Sequence, residues 1–196
     1  FRMARSTYFG KGSISGAVAL VYKATAVLMN GAMRILYLAF IRLPTEKAHG
    51  VQIMKTCEAL AHQGASVELV IPTRKTNIAE DPFAYYRVEK NFSITTLPVP
   101  DMVQFGFFGF VFSALWFSEA AHFLKSFWKA NVIYSRDALV LLQFILLGRP
   151  YVYEAHTAPS VLSVFVARHA RHIVVISNGL KEAYEKQGVP QSRITV

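Results

Sequence analysis

A histidine two positions past a short apolar run is the residue of this sequence best placed to do chemistry. His156 follows Tyr151–Glu154 (YVYE), a run of strand length, in the order Glu154-x-His156. Ligands of open α/β sheets gather at the carboxyl ends of strands, and a neutral imidazole both donates and accepts hydrogen bonds. The competing assignment for a lone histidine is a structural one with its bonds satisfied. Arg136 directly follows a second run, VIYS. A guanidinium at that strand end either clamps a phosphate or carboxylate in bidentate fashion or pairs with neighbouring Asp137. Gly50 stands at the start of the first helix, where a missing side chain lets an anion approach the helix N-terminus; the plain alternative is a loop glycine. Ser177 precedes another helix and reads as a cap first and a ligand contact second.

Several chemistries are absent. There is no G-x-G-x-x-G after the first strand, no P-loop, no H-E-x-x-H and no Ser-His-Asp order. His169 and His172 are three apart but straddle a helix end and a strand start, so no metal shared with His156 is expected. The single cysteine, Cys57, excludes an internal disulfide framework and a cysteine zinc cage, and fits a reducing cytosol. The net charge of +9 suits an anionic partner, whether a phosphorylated substrate or a membrane surface. The basic residues are scattered and no base-reading module is present, so nucleic acid is not expected.

The elements that must position these residues alternate regularly from Met33. Arg34–Phe40 is a continuous apolar run, as in a parallel strand buried on both faces. Gly50–Gln63 reads as a helix stopped by Gly64. Ser66–Ile71 and Ser93–Leu97 are strands closed by prolines. Val132–Tyr134 is a short strand, and Asp137 is placed to cap the helix Ala138–Leu147. Tyr151–Glu154, Ser160–His169, Ile173–Ile176 and Asn178–Gln187 continue as strand, helix, strand and helix, and Ile194–Val196 opens another element. This alternation predicts an α/β parallel sheet with right-handed crossovers.

Two segments stand apart. Met102–Phe127 carries nine phenylalanine and tryptophan residues and is uncharged from Met102 to Ser118. That length is at the lower edge for a membrane span. Gly106, Gly109 and Ser113 interrupt it, and it lies where a crossover helix is required, so a helix of the fold is expected, with lipid-interface docking as the minority reading. Residues 1–32 hold Arg2, Arg5, Lys11 and Lys23 and no acid, with an apolar stretch from Ile14 to Met29. They are expected to be a leader of signal-like, upstream or read-through origin, with the domain proper spanning residues 33–196.

Four pieces together resemble glycosyltransferase family 4, retaining enzymes of the GT-B fold. They are MRILYLAFIRLPTEKAHGVQIMKTCEALAHQGASVELV, VIYSRDALVLL, PYVYEAH and ARHIVVISNGLKEAYEKQGVPQSRITV. The resemblance implies a Rossmann-like N-terminal, acceptor-side domain that ends before the donor domain. It implies transfer of a sugar from a nucleotide-diphosphate sugar to a hydroxyl of a sugar, lipid or small-molecule acceptor, without a bound metal or other cofactor. It further implies that His156 contacts the transferred sugar and that Gly50 admits a donor phosphate, while Glu154 is expected to orient the loop or the imidazole. Relatives carry two adjacent glycines where this chain has His49-Gly50. The expected location is cytoplasmic, at the inner face of the membrane if the anionic surface is a partner. A stand-alone α/β ligand-binding or scaffold module without catalysis is the alternative.

Overall fold

The computed structural model describes residues 33–196, so the leader expected over residues 1–32 lies outside them. Strands β1 (Arg34–Leu38), β2 (Ser66–Pro72), β3 (Ser93–Leu97), β4 (Val132–Ser135), β5 (Tyr151–Ala155), β6 (His172–Val175) and β7 (Ile194–Thr195) form one parallel sheet. The helices are α1 (Ala48–His62), α2 (Pro82–Tyr86), α3 (Gly106–Ala121), α4 (Lys125–Lys129), α5 (Ala138–Leu146), α6 (Val161–His169) and α7 (Asn178–Lys186). The strand order is β3-β2-β1-β4-β5-β6-β7. The chain winds outward from β1 to β3, returns through α3 to β4, and winds out the other way. This is the α/β, Rossmann-like sheet that the alternation predicts.

Both faces of the sheet are covered, which is why the strands are apolar at successive positions. Ile35 and Tyr37 point with Val67, Leu69, Tyr134 and Val152 into a core closed by Ile53, Met54, Cys57 and Leu60 of α1. Leu36 and Leu38 point the opposite way, with Val70, Ile133 and Tyr153, against Phe117 of α3, Phe144 of α5 and Val166 of α6.

The aromatic segment is not one helix. A 3-10 turn (Val103–Phe105) precedes α3, and an extended Leu124 (φ −74°, ψ 132°) separates α3 from α4. The small residues expected to interrupt the helix instead seat the loop that enters it. Gly106 turns the chain at φ 72°, and a Cβ on Gly109 would run into the Met102 carbonyl oxygen. Ser113 Oγ accepts from the Met102 amide at 3.1 Å and donates to the Pro100 carbonyl at 2.9 Å. Helix α2 was not expected, although its signal is present. Asp81 Oδ1 accepts from the Phe83 and Ala84 amides at 3.1 and 3.3 Å, with Pro82 opening the helix.

Asp137 does not cap α5 as its position suggests. Its Oδ2 accepts from the Phe40 amide at 2.9 Å, while its own amide donates to Ser135 Oγ at 3.0 Å. Ser135 Oγ in turn donates to the Leu38 carbonyl at 2.7 Å. A carboxylate that ties the ends of β1 and β4 together is therefore turned away from the helix terminus.

Candidate functional site

The strand order reverses between β1 and β4, and the loops leaving their carboxyl ends diverge there to open a crevice, the usual ligand position in such sheets. Arg136 leaves β4 at this point, Glu154 lies in the neighbouring β5, and His156 directly follows that strand. Helix α1 enters from β1 and brings Gln52, a residue not singled out by spacing or motif, over the same place.

These four side chains form one hydrogen-bonded cluster. His156 Nε2 lies 2.7 Å from Glu154 Oε1, and Gln52 Nε2 donates to that same oxygen at 3.2 Å. Gln52 Nε2 also lies 3.5 Å from His156 Nδ1, and Arg136 Nη1 donates to Gln52 Oε1 at 3.4 Å. From beneath, Tyr37 Oη donates to Glu154 Oε2 at 3.1 Å. Glu154 is buried. Burial pushes its carboxyl up, but the hydrogen bond from His156, the charge of His156 and the guanidinium of Arg136 outweigh burial and hold the pKa below the usual carboxylate value. Burial and then the Glu154 charge push the Tyr37 and Tyr134 phenols well up, so both remain neutral donors.

A carboxylate accepts only, so Glu154 holds the His156 proton on Nε2. The other ring nitrogen, Nδ1, lies against Gln52 Nε2 at 3.5 Å. Of the donor and acceptor roles open to an unplaced imidazole, the donor is therefore already engaged.

On the other side of Arg136 lies a cleft of about 250 Å³ lined by Phe40, Phe110, Arg136, Asp137, Tyr153 and Thr157, among others. Arg136 and Asp137 form no ion pair among the described residues, which leaves the guanidinium facing both the polar cluster and the cleft. Burial raises the Asp137 carboxyl, against the pull of the Phe40 amide and of Arg136.

Gly50 is held differently from the sequence expectation. Helix α1 begins at Ala48, so Gly50 lies within its first turn and is buried. Its amide donates to the Lys47 carbonyl at 3.0 Å. A Cβ there would strike the Tyr86 hydroxyl and come within 2.6 Å of Thr45 Cγ2. That hydroxyl accepts from the Thr45 amide at 2.7 Å and donates to the Thr45 carbonyl at 2.8 Å. The missing side chain thus makes room for the chain's own tyrosine. Ser177 caps α7, accepting from the Leu180 amide at 3.3 Å, and shares no hydrogen bond with the cluster. Among the described residues no group of three or more His, Cys, Asp or Glu is arranged to hold a metal ion.

The family model for Glycosyltransferase Family 4 matches residues 49–196, well over half of the chain. Two solved structures share the fold. A protein described as a UDP-N-acetylglucosamine 2-epimerase from Listeria monocytogenes aligns with a TM-score of 0.60 at 6% identity, over 84% of this chain and 44% of its own. A sucrose-phosphate synthase from Thermosynechococcus elongatus aligns with a TM-score of 0.51 at 16% identity, over 84% of this chain and 87% of that one. The chain thus spans less than half the length of the epimerase. No curated protein matches the sequence.

Proposed function

Because the chain belongs to glycosyltransferase family 4, we propose that it forms the acceptor-side part of an enzyme that moves a sugar from a nucleotide-diphosphate donor to an acceptor hydroxyl, with retention at the anomeric carbon. The bond from the anomeric carbon to the diphosphate oxygen breaks, the nucleotide leaves with the electron pair, and the acceptor hydroxyl gives its proton to the departing diphosphate as its oxygen bonds to the sugar. The observation that carries this reading is the Gln52–Glu154–His156–Arg136 cluster at the crevice between β1, β4 and β5.

In this proposal Glu154 fixes the imidazole, and His156 Nδ1 accepts a hydrogen bond from a hydroxyl of the transferred sugar in place of its 3.5 Å contact with Gln52 Nε2. Arg136 meets an anionic group on the acceptor, and the cleft at Phe40 and Tyr153 receives the rest of that molecule. Most donor contacts, including those to the phosphates, are supplied by a second domain. The arrangement at Gly50 disfavours a phosphate contact through its amide, which is already engaged.

His156→Ala in the full-length enzyme tests this, assayed for sugar transfer from a panel of UDP- and GDP-sugars. The expected result is a fall in kcat much larger than any loss of donor affinity, because a contact to the sugar that strengthens on the way to the transition state is removed. An unchanged kcat would remove His156 from the reaction.

A further inference from the structure

The outer face of α3 is apolar and has no partner among the described residues. Gly109, Ser113, Phe117 and Ala121 face the sheet and α5. Phe105, Phe108, Phe112, Trp116 and Phe123 follow at nearly helical spacing on the other side, all exposed, with Phe108 and Phe123 each at 83%. Within it the Phe112 and Trp116 rings lie 5.9 Å apart, tilted by 38°. Trp128 on α4 is 65% exposed and donates through Nε1 to the His122 carbonyl, just past α3, at 2.9 Å. A patch of this kind on a folded domain marks an interaction surface.

We propose that this face docks on the surface of a lipid bilayer that carries anionic headgroups, with α3 lying along the interface. This does not rest on the transfer reaction proposed above. Two observations select a bilayer surface over another occupant. The first is charge. Lys125 and Lys129 are exposed on α4, and at the same amino-terminal edge of the sheet Arg149, Arg171, Arg193 and His169 line a cavity of about 480 Å³ that has no carboxylate in its walls. The one carboxylate on α3, Glu119, lies 3.2 Å from His122 Nδ1. An aromatic ridge bordered by cations is the pattern of helices that lie in the headgroup region. The second is the fold. Val103–Ala121 has the length and apolar composition of a membrane span. It nevertheless joins β3 to β4 within one sheet and packs a full face against α5, which is incompatible with crossing. Phe110 of the same helix lines the cleft beside Arg136, with its ring 5.6 Å from that of Phe40.

The two tryptophans of the chain, Trp116 and Trp128, both belong to this face, which makes intrinsic fluorescence a local reporter. The 196-residue chain is titrated with vesicles of phosphatidylcholine mixed with phosphatidylglycerol, and with phosphatidylcholine alone, with co-sedimentation in parallel. Docking predicts a blue-shifted emission, quenched by brominated acyl chains, that depends on the anionic lipid and weakens with salt. Phe108→Ser with Phe112→Ser, both exposed positions, should reduce partitioning about tenfold or more while leaving the circular dichroism unchanged. The bases at Arg2, Arg5, Lys11 and Lys23 attract anionic vesicles as well, so co-sedimentation without an emission shift overturns the proposal. So does a double variant that binds like the parent, or a lipid-free dimer that the double variant dissolves.

Discussion

Replacing Glu154 by glutamine changes one charge and almost no volume at the centre of the polar cluster. In the native protein one carboxylate accepts from His156, Gln52 and Tyr37. An amide oxygen placed at Oε1 keeps His156 and Gln52 but turns the NH2 group onto Tyr37. The opposite rotamer sets NH2 against the Gln52 NH2 and requires the proton on His156 to move to Nδ1. Desolvation of the buried carboxylate opposes these contacts, but the pKa of Glu154 lies below its ordinary 4.5, so the contacts outweigh the desolvation. Hydrogen bonds to a charged group contribute about 1.5–3 kcal/mol. On the proposed mechanism that loss lowers kcat roughly 10- to 100-fold. For stability the sign follows from the lowered pKa. The contribution of Glu154 is fully present above the unfolded value near 4.5 and is lost as pH falls through the lower folded value. Glu154→Gln should therefore destabilise the protein above that range and remove this part of its acid sensitivity. Urea unfolding across pH measures the stability, and long-range nitrogen–proton NMR of the imidazole reads the tautomer directly. A variant in which His156 keeps its proton on Nε2, with stability and kcat both unchanged, would refute the positioning role of Glu154.

Three further outcomes are expected. Gly50→Ala places a methyl group against the Tyr86 hydroxyl and Thr45 and should cost about 1–3 kcal/mol in urea unfolding, with a strongly non-additive cycle against Tyr86→Phe. Burial lowers the pKa of His172, whose Nε2 lies 2.7 Å from Thr195 Oγ1. Its contribution is present above the unfolded value near 6.5 and is lost as pH falls through the lower folded value, so His172→Gln should flatten the decline in stability below about pH 6.5. Phe117→Ala, which empties a fully buried site on α3, should cost about 3–5 kcal/mol, whereas Phe108→Ser on the same helix should stay within about 0.5 kcal/mol.

The strands and most helices were legible because their signals are local. A parallel strand buried on both faces must be apolar at consecutive positions, and Arg34–Leu38, Val132–Ser135 and Tyr151–Ala155 announce themselves in that way. Helix stops were legible for the same reason. Gly64, Gly148 and Gly188 take positive φ values of 91°, 60° and 80° just past the helices they end. The aromatic segment shows where local reading fails. Its glycines and serine look like helix breakers, yet Gly109 and Ser113 accommodate the loop from Pro100 to Met102, which periodicity does not register.

At the candidate site the sequence by itself determined that a histidine, a glutamate and an arginine stand at strand ends, since a strand end is a property of a few adjacent residues. Only the tertiary structure decided what each one touches. Gln52 reaches Glu154 across 102 positions, Asp137 leaves its own helix for Phe40 across 97, and the room at Gly50 is taken by Tyr86. Each of these contacts depends on the strand order, which places β1 beside β4 and lays α1 over their ends. No short window of sequence carries that order, because it follows from how two cores are closed on opposite faces of one sheet.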